Sequence, residues 1–282
     1  NINANARVFE VQNDAVTFQN LTISGGYLTS SHGAGLFNNN GQVTLDNVVI
    51  DNNQTFGTGA DRHGGGIWNN GAKATLIGTD VDITNNKADR TAGGNAVGGG
   101  LWSTNGATTD LTNVNLSGNQ AREGGGFYIS GGFGDTVTLT NATIDGNTAI
   151  VRGGGFRNSG VDTTVIINGG TISNNITQNE HGGGFYNNGK TILTNVDITD
   201  NQAIDADNTN GRPDDSYGGG FYNNPLGEHP TAGIVEITGG SITGNAAYGH
   251  GGGFWNRGGK VTITGTSADH VEIQNNSAGS PF

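Results

Sequence analysis

The chain of 282 residues holds 53 glycines, no cysteine and no methionine, and its 24 acidic and 12 basic residues leave a formal charge of −12. So few cations exclude nucleic acid as a partner, because displacing phosphate counterions needs Lys and Arg. The absence of cysteine excludes a disulfide framework and a thiolate metal site, and no apolar run reaches the ~18 residues of a transmembrane helix.

In chain order the first patterned segment is AVTFQNLTISGG, residues 15–26. A degenerate glycine motif, GAGLFNN, then starts at Gly33, and VTLDNVVIDNN follows at residues 43–53. From there the pair recurs. Gly-Gly-Gly-apolar starts at Gly64, Gly98, Gly124, Gly153, Gly182, Gly218 and Gly251, at intervals of 26 to 36 residues. Between triplets lie segments such as VTLTNATIDGN at 137–147, ILTNVDITDN at 192–201 and VEITGGSITGN at 235–245.

The periodicity inside each segment is two: apolar and polar residues alternate and then meet Asn or Gly, as in short half-buried strands separated by turns. Helical repeats are disfavoured, because Gly and Asn are costly in helices. Three strands fit each repeat: one after the glycine triplet, one of the Val-Thr-Leu type, and one centred on the following Ile. Parallel crossovers are right-handed, so the expected fold is all-β: a right-handed parallel β-helix of roughly eight or nine rungs spaced ~4.8 Å apart. Residues 1–282 are read as a single domain, one stretch of a longer exported protein.

Alignment of the repeats predicts three inward columns: Leu36, Ile67, Leu101, Phe127, Phe156, Phe185, Phe221 and Phe254; Leu45, Leu76, Leu111, Leu139, Ile167, Leu193, Ile237 and Ile263; and Ile50, Ile83, Leu116, Ile144, Ile172, Ile198 and Ile242. The Asn closing each rung (Asn53, Asn86, Asn119, Asn147, Asn175, Asn201, Asn245) is expected at a corner, in a left-handed turn or an amide ladder.

These motifs resemble the Gly-Gly-x-apolar and Phe-x-x-Asn repeats of chlamydial polymorphic outer-membrane proteins, and more closely the β-helix repeats of large bacterial extracellular and surface proteins. The resemblance spans residues 8–276. It implies export, display at the cell surface or secretion, and adhesion. Ile, Leu or Val replaces Phe in the x-x-Asn motif. The pectate-lyase superfamily shares this fold, which leaves an enzyme as an alternative.

Three groups of residues are candidates for function. The outward column beside the inward Phe stack (Phe37, Trp68, Trp102, Tyr128, Arg157, Tyr186, Tyr222, Trp255) is either a self-stacking ladder or a platform for sugar rings, with Trp68, Trp102, Tyr128, Tyr186, Tyr222 and Trp255 as ligand-binding candidates. The residue before each triplet is His32, His63, Val97, Glu123, Arg152, His181, Tyr217 or His250. There, Glu123, Arg152 and His181 fall on successive rungs and are the catalytic candidates for acid–base chemistry on an acidic sugar. The insertion at 202–217 offers Asp205, Asp207, Asp214 and Asp215 as hard oxygen ligands for calcium. It and the insertions at 54–63 and 87–97 are read as loops leaving one edge.

The expected function is a non-catalytic adhesin or binding module, secreted or on the cell surface. It would present the aromatic column and loop edge to a polysaccharide or another surface, with no cofactor beyond the calcium candidate. A polysaccharide lyase or glycoside hydrolase is the first alternative. A structural spacer or a filament subunit self-associating end to end is the second.

Overall fold

A computed structural model describes residues 5–29, 31–58, 62–92, 95–206, 216–227, 232–266 and 270–279. The chain coils as a right-handed parallel β-helix whose turns contribute to three sheets. Apart from an antiparallel bridge between Ala6 and Tyr27, the strand pairings among the described residues are parallel. Each interior strand bonds to the equivalent strand one turn earlier and one turn later, as Phe127–Ser130 does with Leu101–Thr104 and Phe156–Asn158.

The first sheet holds the strands that follow the glycine triplets. Its inward column is Leu36, Ile67, Leu101, Phe127, Phe156, Phe185 and Phe221, each at 0% exposure. Phe127, Phe156, Phe185, Phe221 and Phe254 stack in sequence at 4.6, 4.7, 4.8 and 4.8 Å between centroids, with planes within 6° of parallel. Burial of each such side chain contributes roughly 1.5–3 kcal/mol.

The second sheet differs from the sequence-based expectation. The Val-Thr-Leu segment and the Ile segment form one ten-residue strand, as in Gln42–Asp51 and Thr136–Asp145. The strand bends at a residue of positive φ: Asn20, Asn47, Asp80, Asn113, Asn141 or Asn195, at 51–54°. Asn and Asp tolerate this region better than other side chains, so two successive residues can turn outward without ending the strand.

The third strand of each turn lies beyond the closing Asn, where loops were expected. Gln54–Thr58, Lys87–Ala92, Gln120–Glu123 and Thr148–Arg152 line up there, and the insertions at 54 and 87 begin as strands of this sheet. After Leu28 in the first turn, its inward column is small: Thr55, Ala88, Ala121, Ala149, Thr177, Ala203 and Ala247.

One column also needs correction. Leu76 pairs with Val43 and Thr109, and the position between Leu45 and Leu111 is held by Gly78. A Cβ on Gly78 would stand 2.8 Å from Val81 and 2.9 Å from Leu111. The larger neighbours therefore fill the space, and Leu76 is buried two positions earlier.

The closing asparagines form a buried amide ladder. Asn119 donates its backbone N–H (2.9 Å) and Nδ2 (3.1 Å) to Asn147 Oδ1, and Nδ2 also reaches the Ile83 carbonyl at 2.8 Å. The same pattern repeats from Asn53 to Asn276. The left-handed residue is the one before each ladder Asn: Asn52, Asn85, Gly118, Gly146, Asn174, Asp200 or Gly244.

The triplet explains itself at Gly124-Gly125-Gly126. Gly124 has φ 61°, a Cβ on Gly125 would lie 2.3 Å from the Gly154 carbonyl oxygen, and one on Gly126 would lie 2.5 Å from that of Gly155. The corner is closed too tightly for any side chain, and it fixes the direction in which the next strand presents its outer residues.

Candidate functional site

The outer side of the first sheet carries the aromatic column. Its rungs are in register: Phe37, Trp68, Trp102, Tyr128, Arg157, Tyr186, Tyr222 and Trp255 pair successively. The rings lie along the axis, so they cover one another's faces. Phe37 and Trp68 stack at 4.1 Å and Trp68 and Trp102 at 5.2 Å, both within 8° of parallel. Arg7 lies 4.7 Å over Phe37. Tyr186 and Tyr222 stack at 5.0 Å and are 4% and 1% exposed. Asn224 Nδ2 donates to the Tyr186 hydroxyl at 2.9 Å, and His181 covers Tyr222 at 4.4 Å. Trp255 is the most open of these rings, at 36%.

The stack is interrupted in the middle. Arg157 holds the ring position between Tyr128 and Tyr186, 5.6 and 5.1 Å from their centroids. Burial draws its guanidinium down to about 10 from its ordinary value and pushes the Tyr128 phenol up. Trp102 Nε1 reaches forward one rung to donate to Ser130 Oγ at 3.0 Å. A cleft of about 320 Å³ opens at this interruption, lined by His63, Asn95, Val97, Trp102, Glu123, Tyr128, Ser130 and Arg157. Sequence reading did not identify Ser130 and Asn95. Ser130 was findable as the position two beyond the outer ring, where Asn70, Thr104 and Ser130 pair in line.

The corner column before the triplets is also in register, and Glu123, Arg152 and His181 occupy successive rungs. Each is already engaged. Glu123 Oε1 pairs with Arg122 at 2.8 Å and stands 3.9 Å from Arg152, and Oε2 is paired with Arg157. Arg152 Nε pairs with Glu180 at 2.7 Å. His181 Nδ1 accepts from the Tyr217 backbone N–H at 3.3 Å, and its ring stacks on Tyr217 at 4.9 Å. His32 and His63 repeat this corner arrangement. The rings stack at 4.8 Å, and Nδ1 of each accepts the backbone N–H of the next corner residue, at 3.1 Å (His63) and 3.2 Å (Val97). These histidines act as backbone acceptors on the corner, and His63 also packs edge-on against Trp102 at 4.4 Å.

Of the calcium candidates, Asp205 is half-buried, while Asp207, Asp214 and Asp215 lie outside the described residues. Among the described residues no group of three His, Cys, Asp or Glu has metal-binding geometry, and no helix is long and apolar enough to cross a membrane. Comparison with protein-family models, curated proteins and solved structures gave no match.

Proposed function

We propose that this β-helix is a non-catalytic saccharide-binding module of a secreted or cell-surface protein, and that the cleft between Trp102 and Tyr128 is its binding site. The observation that supports the reading is the break in the ring stack. Elsewhere the aromatic faces are covered by neighbouring rings or by Arg7, apart from Trp255 at the end of the column. Here an indole and a phenol border an open cleft of about 320 Å³, of the order of one sugar ring, with a hydroxyl, a carboxylate and a guanidinium around it. Such a mixture of apolar faces and few convergent polar groups is what a small-ligand site needs. The scaffold beneath is rigid, so little ordering opposes binding. The engagement of Glu123 by guanidinium groups favours binding over acid–base catalysis, which needs a carboxylate poised to exchange a proton.

A glycan array followed by calorimetric titration tests this. At least one polysaccharide should bind, and Trp102→Ala combined with Tyr128→Ala should abolish that binding while thermal unfolding remains cooperative. Failure of every polysaccharide to bind counts against the proposal.

A further inference from the structure

We infer that the sugar received by this cleft bears an anionic substituent, a carboxylate or a sulfate, and that the cluster of Arg122, Arg152 and Arg157 recognises it. This rests on the saccharide-binding reading above and goes beyond it by naming the ligand's charge. Of the chain's 12 Lys and Arg residues, these three guanidinium groups converge on the single carboxylate of Glu123, whose side chain is only 8% exposed. Among the described residues Glu180, paired with Arg152, is the only other acid in the salt-bridge network. Three cations against two anions leave a local charge of +1 in a chain of net −12.

The surplus has structural signs. Nε of Arg122 and Nε of Arg157 are buried without a hydrogen-bond acceptor. Arg122 also repels Arg157, adding to the burial that lowers the Arg157 guanidinium. Arg157 lines the cleft and presents the cluster's charge to it, and guanidinium groups match the two-oxygen edge of a carboxylate or sulfate. The acidic remainder of the chain does not cancel this attraction. At physiological ionic strength the screening length is ~8 Å, so a ligand in the cleft responds to the cluster and little to carboxylates several rungs away. Glu123 opposes the anion directly, and its position therefore provides the most discriminating variant.

The test uses three soluble oligosaccharides of equal length: one of uronates, one sulfated and one neutral. Calorimetric titration at low salt should show an anionic ligand binding about tenfold or more tightly than the neutral one, with affinity falling as NaCl is raised. Which anionic ligand wins identifies the substituent. Arg122→Gln with Arg152→Gln, both on partly exposed side chains, should remove the preference. Glu123→Gln should strengthen anionic binding severalfold and leave neutral binding unchanged, an effect that a purely structural role for Glu123 would not produce. Equal binding of neutral and anionic ligands, or a preference that survives the double Arg variant, overturns this inference and leaves the saccharide site standing. No binding by any of the three overturns both.

Discussion

Trp68 and Trp102 lie face to face at 5.2 Å, with their planes 7° apart. Each therefore covers the surface by which the other would hold a sugar. Trp68 has Phe37 on its other side, whereas the far side of Trp102 borders the cleft. The two indoles should separate by experiment. Trp68→Ala removes two stacking pairs at roughly 0.5–1.5 kcal/mol each, so urea denaturation should show a loss of about 1–3 kcal/mol with saccharide affinity unaltered. Trp102→Ala should lose both stability and affinity. Loss of binding in Trp68→Ala at full occupancy of the folded state would return the whole stripe to the binding site.

Much of this was legible from the sequence, because the repeat places equivalent residues one above another: once Phe127, Phe156 and Phe185 are aligned, both faces of the first sheet follow. What alternation cannot give is what lies along the axis. It marks Tyr186 and Tyr222 as outward without showing that His181 and Asn224 cover them. It also misplaces Leu76, because two positions one strand-period apart have the same inward character and only packing around Gly78 selects between them. The third sheet went unread because its inward column after Leu28 is Ala and Thr, too small to stand out as an apolar pattern. The Glu123 cluster draws on Arg122 from its own rung and on Arg152 and Arg157 from either side of the next glycine triplet, so spacing in sequence alone revealed only part of it.

The amide ladder should be the most sensitive polar element. Asn147 Oδ1 accepts two donors from Asn119, and its Nδ2 donates to Leu116 O and Asn175 Oδ1. Asn147→Ala strands several fully buried groups at ~1–3 kcal/mol each, and chemical denaturation should register a loss of at least about 3 kcal/mol. Asn141, at φ 52°, is exposed and donates its Nδ2 to Asn113 Oδ1 one rung earlier. Asn141→Gly should change stability by less than about 1 kcal/mol, because glycine accepts positive φ freely. Equal losses at the two sites would contradict a load concentrated in the buried ladder.

Two glycines should respond oppositely to the same methyl group. A Cβ at Gly125 meets backbone oxygens at 2.3 and 2.6 Å, neither of which belongs to a side chain that can move aside. Gly125→Ala should cost about 3 kcal/mol or more, at the upper end of overpacking penalties, and lower the soluble yield. At Gly132 nothing lies within 4 Å and φ is not positive. Gly132→Ala should leave the melting temperature unchanged or slightly raised. A well-folded Gly125→Ala protein would show that the corner can open.

Asp135 sets a pH dependence of unusual sign. Its side chain is wholly buried, Oδ1 accepts the backbone N–H groups of Gly106 (2.9 Å) and Ala107 (3.1 Å), and Oδ2 has no partner. Burial raises the carboxyl above its ordinary value, and the backbone donors of Gly106, Ala107 and Asp135 itself offset this only in part. The folded state therefore holds this proton more firmly than the unfolded chain does. The stability it contributes is fully present below the ordinary Asp value of ~3.9 and is lost as pH rises through the higher folded value. Most acid titrations of folded proteins run the other way, since paired carboxylates are held low. Asp135→Asn keeps the accepting oxygen and removes the titration. Urea denaturation from pH 3.5 to 8 should show the variant gaining on the parent as pH rises and exceeding it at neutrality. Parallel stability curves for the two proteins would show that folding does not shift this carboxyl, and an advantage of the variant confined to low pH would show that the backbone donors outweigh burial.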